Sequence, residues 1–354
     1  MEENMHIPGG KNAYPLWIAC AMLGSPCLAQ TSVSLYGQID VFAGATKSIG
    51  GRTAWQESSG GLSTSYFGMK GAEDLGADTK AIFALEGFFQ PQNGQIGRFP
   101  NDVFFSRNAY VGIESPYGTF TAGRQSTNLF ISTILFNPFV DSFTFSPVVL
   151  QTYLGLGGQS VIGDTGWNNA VQYSTPRFGG LSGAAMYSFG NSAGAAGQRK
   201  WSAQFFYFHG PFAATGVYQY ENYSFAAGDI STALAGVPGL SSQSTSELAA
   251  TYDFRLVKLY AQYLRTNDRT NNGTVIVNRG QAGFSIPLGV GSILGSYAYS
   301  KSNGPVDGVV RKTWAVGYDY PLSKRTDVYA AYLSDHLTGK STGDTLGVGI
   351  RTKF

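Results

Sequence analysis

The side chains that could make or break bonds are few, and they do not converge. A nucleophilic triad needs a serine, a histidine and an acid at one depth. Of the three histidines, only His209 and His336 lie beyond the amino-terminal region. His209 sits in the turn-like sequence YFHGPF and reads as a turn or interface residue. His336 follows Asp335, and many serines could approach it, yet no G-x-S-x-G elbow accompanies it. No P-loop, dinucleotide fingerprint or metal-ligand cluster occurs, so the sequence implies no cofactor, no metal site and no enzyme. Cys20 and Cys27 both fall in an amino-terminal apolar segment, which excludes a disulfide scaffold downstream. No basic run points to nucleic acid. What the chain does carry is isolated charge, at Lys70, Arg107, Arg124 and Asp141, within or beside stretches patterned as strands. The meaning of those charges depends on the elements that position them.

Composition narrows the elements. Only 13% of the 354 residues are charged, while 14% are aromatic and 47 are glycine; a soluble domain averages roughly 25% charged. Mean hydropathy is nevertheless near neutral, at -0.07. No stretch approaches the ~20 apolar residues of a membrane-spanning helix. Strands with one lipid face and one wet face fit this balance, and a soluble β-sandwich or repeat protein is the alternative. Pro15–Ala29 is a short apolar run preceded by Lys11, with small residues Cys27 and Ala29 at its end. It reads as a secretory signal, residues 1–29, cleaved after Ala29. Glu2 and Glu3 depart from the usual basic start, and Met5 is an alternative initiator. Residues 30–354 then form one β-barrel domain with 23 Lys+Arg against 20 Asp+Glu.

Period-two alternation supplies the strands. Leu346, Val348, Ile350, Thr352 and Phe354 share one face, opposite Thr345, Gly347, Gly349, Arg351 and Lys353. Seven short connections are rich in Gly, Pro and Asp: 74–78, 115–118, 176–180, 209–211, 253–257, 287–291 and 321–326. Longer polar connections alternate with them, near 46–62, 91–102, 127–167, 191–198, 224–244, 267–273, 302–308 and 338–343. Seven turns and eight loops join sixteen strands. The expected fold is all-β: a sixteen-stranded antiparallel transmembrane barrel with short periplasmic turns and long outer loops. Sixteen strands leave an aqueous channel. Trp314, Tyr318, Tyr320, Tyr329 and Tyr332 are candidates for interfacial girdles.

Several segments, taken together, resemble the general porins of the Burkholderia–Bordetella–Neisseria type. They are SVSLYGQID (32–40), YFGMKGAEDLG (66–76), RNAYVGIESPYGTFTAGRQ (107–125), TPRFGGLSGAAMY (175–187), YPLSKRTDVYAAY (320–332) and VGIRTKF (348–354). The resemblance runs from about residue 32 to the end. It implies a homotrimer in outer-membrane lipid and lipopolysaccharide, passing small hydrophilic solutes, with the long third loop folded into each lumen. Here that loop is 126–167, rich in Leu and Phe. It also implies an eyelet in which wall bases oppose loop acids, creating a transverse field. Arg107 matches a wall arginine, whereas Tyr66 stands where many relatives carry one. Lys70 shares parity with Tyr66 and faces the lumen. Asp141 and Asp164 are the only loop acids. By alternation Arg107 goes with Ala109, Val111 and Ile113, and Arg124 with Phe120 and Ala122, which are outward faces; a bulge or a subunit contact would reconcile them. The terminal Phe354 is read as an assembly signal for the barrel-insertion machinery. A substrate-specific channel for a sugar or an aromatic acid remains the alternative within the same fold.

Overall fold

Alternating apolar and polar residues, rich in aromatic and β-branched types, build strands along most of the chain, and turn residues end them. The computed structural model describes residues 32–156, 159–190, 199–222 and 239–354; the segment read as a signal lies outside these. In chain order the elements are β1 (Ser32–Lys47), β2 (Ala54–Ser59), β3 (Tyr66–Gly76), β4 (Thr79–Gln90), β5 (Gln95–Ile96), β6 (Asn108–Ser115), β7 (Gly118–Ser126), α1 (Asn128–Leu135), α2 (Pro147–Tyr153), β8 (Gly166–Ser174), β9 (Leu181–Ser188), β10 (Lys200–His209), β11 (Phe212–Asn222), β12 (Ser242–Asp253), β13 (Lys258–Thr270), β14 (Gly273–Leu288), β15 (Gly291–Asn303), β16 (Val310–Pro321), β17 (Thr326–Leu337) and β18 (Gly343–Lys353).

Sixteen of these strands form the wall of a closed antiparallel barrel. The other two are short additions within outer loops. β5 pairs with the end of β4. β2 pairs with β1 from Val41↔Ser59 to Thr46↔Ala54. Below it, β3 pairs with the same edge of β1 from Ser32↔Ala72 to Gln38↔Tyr66. One side of β1 is therefore covered by two strands in succession, and residues 60–65 leave the sheet between them. The opposite side of β1 meets β18, from Gln38↔Lys353 to Lys47↔Asp344, and this pairing closes the barrel. Below that register, Gly37 and Phe354 exchange backbone hydrogen bonds of 3.2 and 3.1 Å. Only glycine fits at 37, because a Cβ would lie 2.4 Å from the Tyr66 carbonyl oxygen and 2.7 Å from the Phe354 ring.

All seven short turns fall where the sequence places them. In the first, Ala77 and Asp78 adopt left-handed conformations, with φ of 50° and 56°. The connection expected near 267–273 differs. β13 and β14 continue through it to a two-residue turn at Asn271 and Asn272, with Thr270 opposite Gly273. Its polar residues read as loop, but they alternate as strand: Thr266 and Asp268 point inward and are buried. The expected connections 191–198 and most of 224–244 lie outside the described residues.

The two faces of each strand differ as alternation requires. On β1, Val33 and Leu35 are exposed toward lipid, whereas Gln38, Asp40 and Phe42 are buried inward. One girdle assignment is corrected. Tyr329 is 3% exposed and faces inward, where its hydroxyl bonds Asp40. Tyr329 and Tyr332 stand three apart on a period-two strand, so they cannot share a face. Trp314 does point outward, with its ring 5.3 Å from that of Tyr332. His336 is exposed while Asp335 is buried on the other face, so the two cannot cooperate in catalysis. In a variant retaining only Trp314, headgroup-level quenchers should reduce its fluorescence more than quenchers at the bilayer centre. Equal quenching by both would remove Trp314 from the interface.

Candidate functional site

The third loop, between β7 and β8, runs inside the barrel. Its local structure follows from its capping residues. Thr127 ends the strand and caps α1, its hydroxyl accepting the Phe130 N–H at 3.1 Å. Ser146 caps α2 in the same way, with Pro147 in the first turn, where proline costs nothing. The apolar residues of the loop pack on lumen-facing wall residues. Leu129, Phe130, Val148, Val149 and Tyr153 join Val217 and Leu264. Phe139 and Phe145 join Phe42, Leu294, Ala315 and Leu333. These side chains are removed from water, and each stabilises by roughly 1.5–3 kcal/mol when fully buried.

Polar side chains of the wall complete the docking. Glu247 on β12 accepts the Ser132 and Thr133 hydroxyls of α1, at 2.9 and 3.2 Å. Gln262 donates to the Thr133 carbonyl at 3.0 Å. Arg279 on β14 donates to the carbonyls of Gln151 and Gln159, at 2.8 and 2.6 Å. Arg311 on β16 reaches the carbonyls of Leu150 and Leu154 while pairing with Asp335. Two wall arginines therefore take up carbonyls at the end of α2, where the helix dipole and the free carbonyls both favour a cation.

The tip of the loop is held from the other side by residues 60–65. Asp40, fully buried, accepts three successive backbone N–H groups, from Gly61, Leu62 and Ser63, at 3.1, 2.9 and 2.8 Å. That fixes the inward bend. The bend in turn presents the Gly61 carbonyl to the Ser142 hydroxyl, at 2.5 Å, and the Gly60 carbonyl to Thr144, at 2.8 Å. Ser63 bonds Asp141 directly.

Across from Asp141 stand the wall residues singled out by sequence. Arg107 pairs with Glu86, and its guanidinium lies 4.3 Å above the Tyr66 ring. Tyr36 also bonds Glu86. Arg107 and Tyr66 both lie within electrostatic reach of Asp141. Burial pushes the Asp141 carboxyl above its ordinary value, against the pull of Ser63 and Arg107. Lys70 is exposed, 4.8 Å from the Tyr36 ring. The structure thus brings Tyr66, Arg107 and Asp141 together, with Lys70 nearer the periplasmic end. Arg107 escapes the outward parity expected for it because β6 begins only at Asn108. Its side chain turns to Glu86 instead.

Arg124 is a correction. It is buried, and its guanidinium bonds the Ser106 carbonyl, Asn168 and Asp164. Arg98 of the second loop also pairs with Asp164. Burial favours the neutral acid, but these two arginines outweigh it and hold Asp164 below the usual carboxylate range. Arg124 anchors the root of the third loop and the second loop within its own chain. In the single chain its side chain is 7% exposed. Arg124 keeps the parity of Phe120 and Ala122 against β6; alternation could not show that Ser106 and Asp164 fold over that face.

Sequence reasoning also passed over Glu86 and Asp40. A signal existed for both: each is an acid in a strand whose outward neighbours are apolar, so it must face inward. Replacing Asp40 with Asn removes the charge that gathers three N–H groups. Asp40→Asn should destabilise the fold by about 1–3 kcal/mol and increase the current noise of single channels, because the loop tip loses its support. Urea unfolding and bilayer recordings measure both. A variant as quiet and as stable as the parent would show that the bend holds itself.

Comparison with known proteins agrees with this geometry. A family model described as Gram-negative porin matches residues 17–340. An outer membrane porin of Bordetella pertussis is 29% identical, over 92% of this chain and 95% of its own. Outer membrane porin protein 32 of Delftia acidovorans is 29% identical, over 88% and 86%. The solved structure titled anion-selective porin from Comamonas acidovorans superposes with a TM-score of 0.76 at 23% identity, covering 92% of this chain and all of that one. A closed barrel of sixteen strands, an inward loop and relatives of this kind lead to one conclusion: the chain belongs to the Gram-negative porin family and is an outer-membrane diffusion channel.

Proposed function

We propose that this porin passes small hydrophilic solutes with a weak preference for anions, set at a constriction formed by Arg107, Tyr66 and Asp141 with Lys70 below it. The observation carrying this reading is the local charge balance. Arg107 is neutralised by Glu86. Asp141 is held by Ser63 and lies within reach of both Arg107 and Arg351, so its charge is opposed by nearby bases. Lys70 makes no ion pair among the described residues, so a small positive excess is left. The anion-selective porin of Comamonas acidovorans, with the same fold, lends support. In a salt gradient the reversal potential should indicate slight anion preference. Lys70→Glu and Arg107→Gln should each move it toward cations, because like-signed ions are excluded from a narrow charged passage. Strong cation selectivity in the parent would overturn the assignment.

We also propose that the channel assembles as a homotrimer through the barrel-insertion machinery, with Phe354 in the final strand as the recognised residue. The porin matched from Vibrio cholerae includes a form titled as a trimer. A terminal strand that must offer its free edge before closure is suited to being held by another strand. Deleting Phe354 should cause periplasmic accumulation and a low yield of outer-membrane trimer on native gels, with near-normal stability after refolding in detergent. Normal trimer yield at native expression would refute the role of Phe354. A monomer in the undeleted protein would refute the trimer.

A further inference from the structure

The strand β10 breaks the rule that a lumen face is polar. Its sequence carries the run Phe205–Phe208, and alternation sends Phe206 and Phe208 inward on the same face as Lys200, Ser202 and Gln204. On the periplasmic side of the third loop these rings meet the end of α1. Phe136 is stacked on Phe206 at 6.3 Å with planes 6° apart, and Phe206 lies 5.6 Å from Phe208. Beside them is a cavity of about 330 Å³ lined by Leu135, Phe136, Phe208, Pro211, Asp253 and Lys258, among others. That is at the lower end of small-molecule sites. Leu135 stands out on the loop. It is 48% exposed, while the adjoining Phe136 is buried.

The cavity lining carries one base and one acid, Lys258 and Asp253, which face each other across β12 and β13, and a second base stands at the margin. Lys258 lines it, with its ammonium 5.1 Å from the Tyr260 ring. The Arg177 guanidinium lies 4.7 Å from the centre of the Phe208 ring. Asp253 also lines the cavity, with one of its oxygens accepting the Arg255 backbone N–H at 2.7 Å, so Lys258 and Arg177 together leave one positive charge in excess over it.

We propose that this cavity is a subsite for amphipathic organic anions, of the class of an aromatic ring bearing a carboxylate. The ring slides against Leu135, Phe136 and Phe208, and the carboxylate faces Lys258 with Arg177 at the margin. An apolar wall alone would take any oily solute, and a cationic rim alone any anion. The two side by side select molecules having both features. The site lies beyond the constriction, so it holds a solute leaving toward the periplasm or entering from it. The inference rests on the channel function described above.

Planar bilayer recordings with channels inserted in known orientation test it, using benzoate as the probe and acetate and benzyl alcohol as controls. Benzoate on the periplasmic face should reduce the ion current saturably, whereas acetate and benzyl alcohol at equal concentration should not. Phe208→Ala and Lys258→Gln should each raise the half-blocking concentration about tenfold, a change of about 1.4 kcal/mol, measured against each variant's own open current. Lys258→Arg should retain block. Equal block by benzoate and acetate, or unchanged half-blocking concentrations in both Phe208→Ala and Lys258→Gln, would overturn the subsite while leaving the channel intact. Failure of the parent to conduct at all would overturn the channel function and the subsite together.

Discussion

Unpaired backbone amides cannot be left in hydrocarbon. Each one costs several kcal/mol there, and a sheet in lipid therefore has no tolerable edge. The pairing of β1 with β18 answers this requirement, and the rest of the molecule depends on it. Closure fixes which face of every strand looks inward. It makes the lumen a shared space in which residues far apart in sequence can meet. It also explains why Gly37 lies beneath Phe354: the last residue completes the seam, and there is room for its ring only over a residue without a side chain.

A second constraint arises inside. The third loop is apolar on many positions, yet it lies in a compartment open to water at both ends. Burying its leucines and phenylalanines against the wall removes them from that water but would strand its backbone carbonyls. The wall resolves this with the amides of Gln204, Gln243 and Gln262 and with two arginines aimed at those carbonyls. Much of the inward-facing charge is consequently spent on holding the loop. Arg279, Arg311, Glu247 and Asp40 are all buried. Fewer inward-facing charges, among them Lys70, Arg107, Glu86 and Asp141, remain outside that scaffold.

The wall was legible because alternation and turn chemistry are local. Each short turn could be read from its own Gly, Pro or Asp, and the faces of β1 and β18 from their own residues. The β13–β14 turn was misread because polar strand ends that rise above a bilayer look like loop. The constriction was only half legible. Arg107 could be found by its motif, but its partner Glu86 is 21 positions away, and Asp141 is held by Ser63 of a different loop. Arg124 shows the limit most clearly. Parity assigns a side chain to a face of a strand, but it says nothing of loops that fold over that face, and Asp164 and Ser106 do so here.

The loop's attachments span great lengths of chain. Arg311 and the Leu150 carbonyl it holds are separated by 161 positions, and Gln151 and Thr313 by 162. The loop emerges from synthesis well before β14–β16, which must carry its anchors. Until those strands are in place, Phe130, Phe139 and Phe145 have only part of their final surroundings. Contacts of such high sequence separation form slowly, and apolar surface left waiting for them promotes aggregation. The same loop that narrows the finished channel is thus a kinetic liability of the unfinished one, and the interval before closure is when the chain most needs to be kept apart from its own copies.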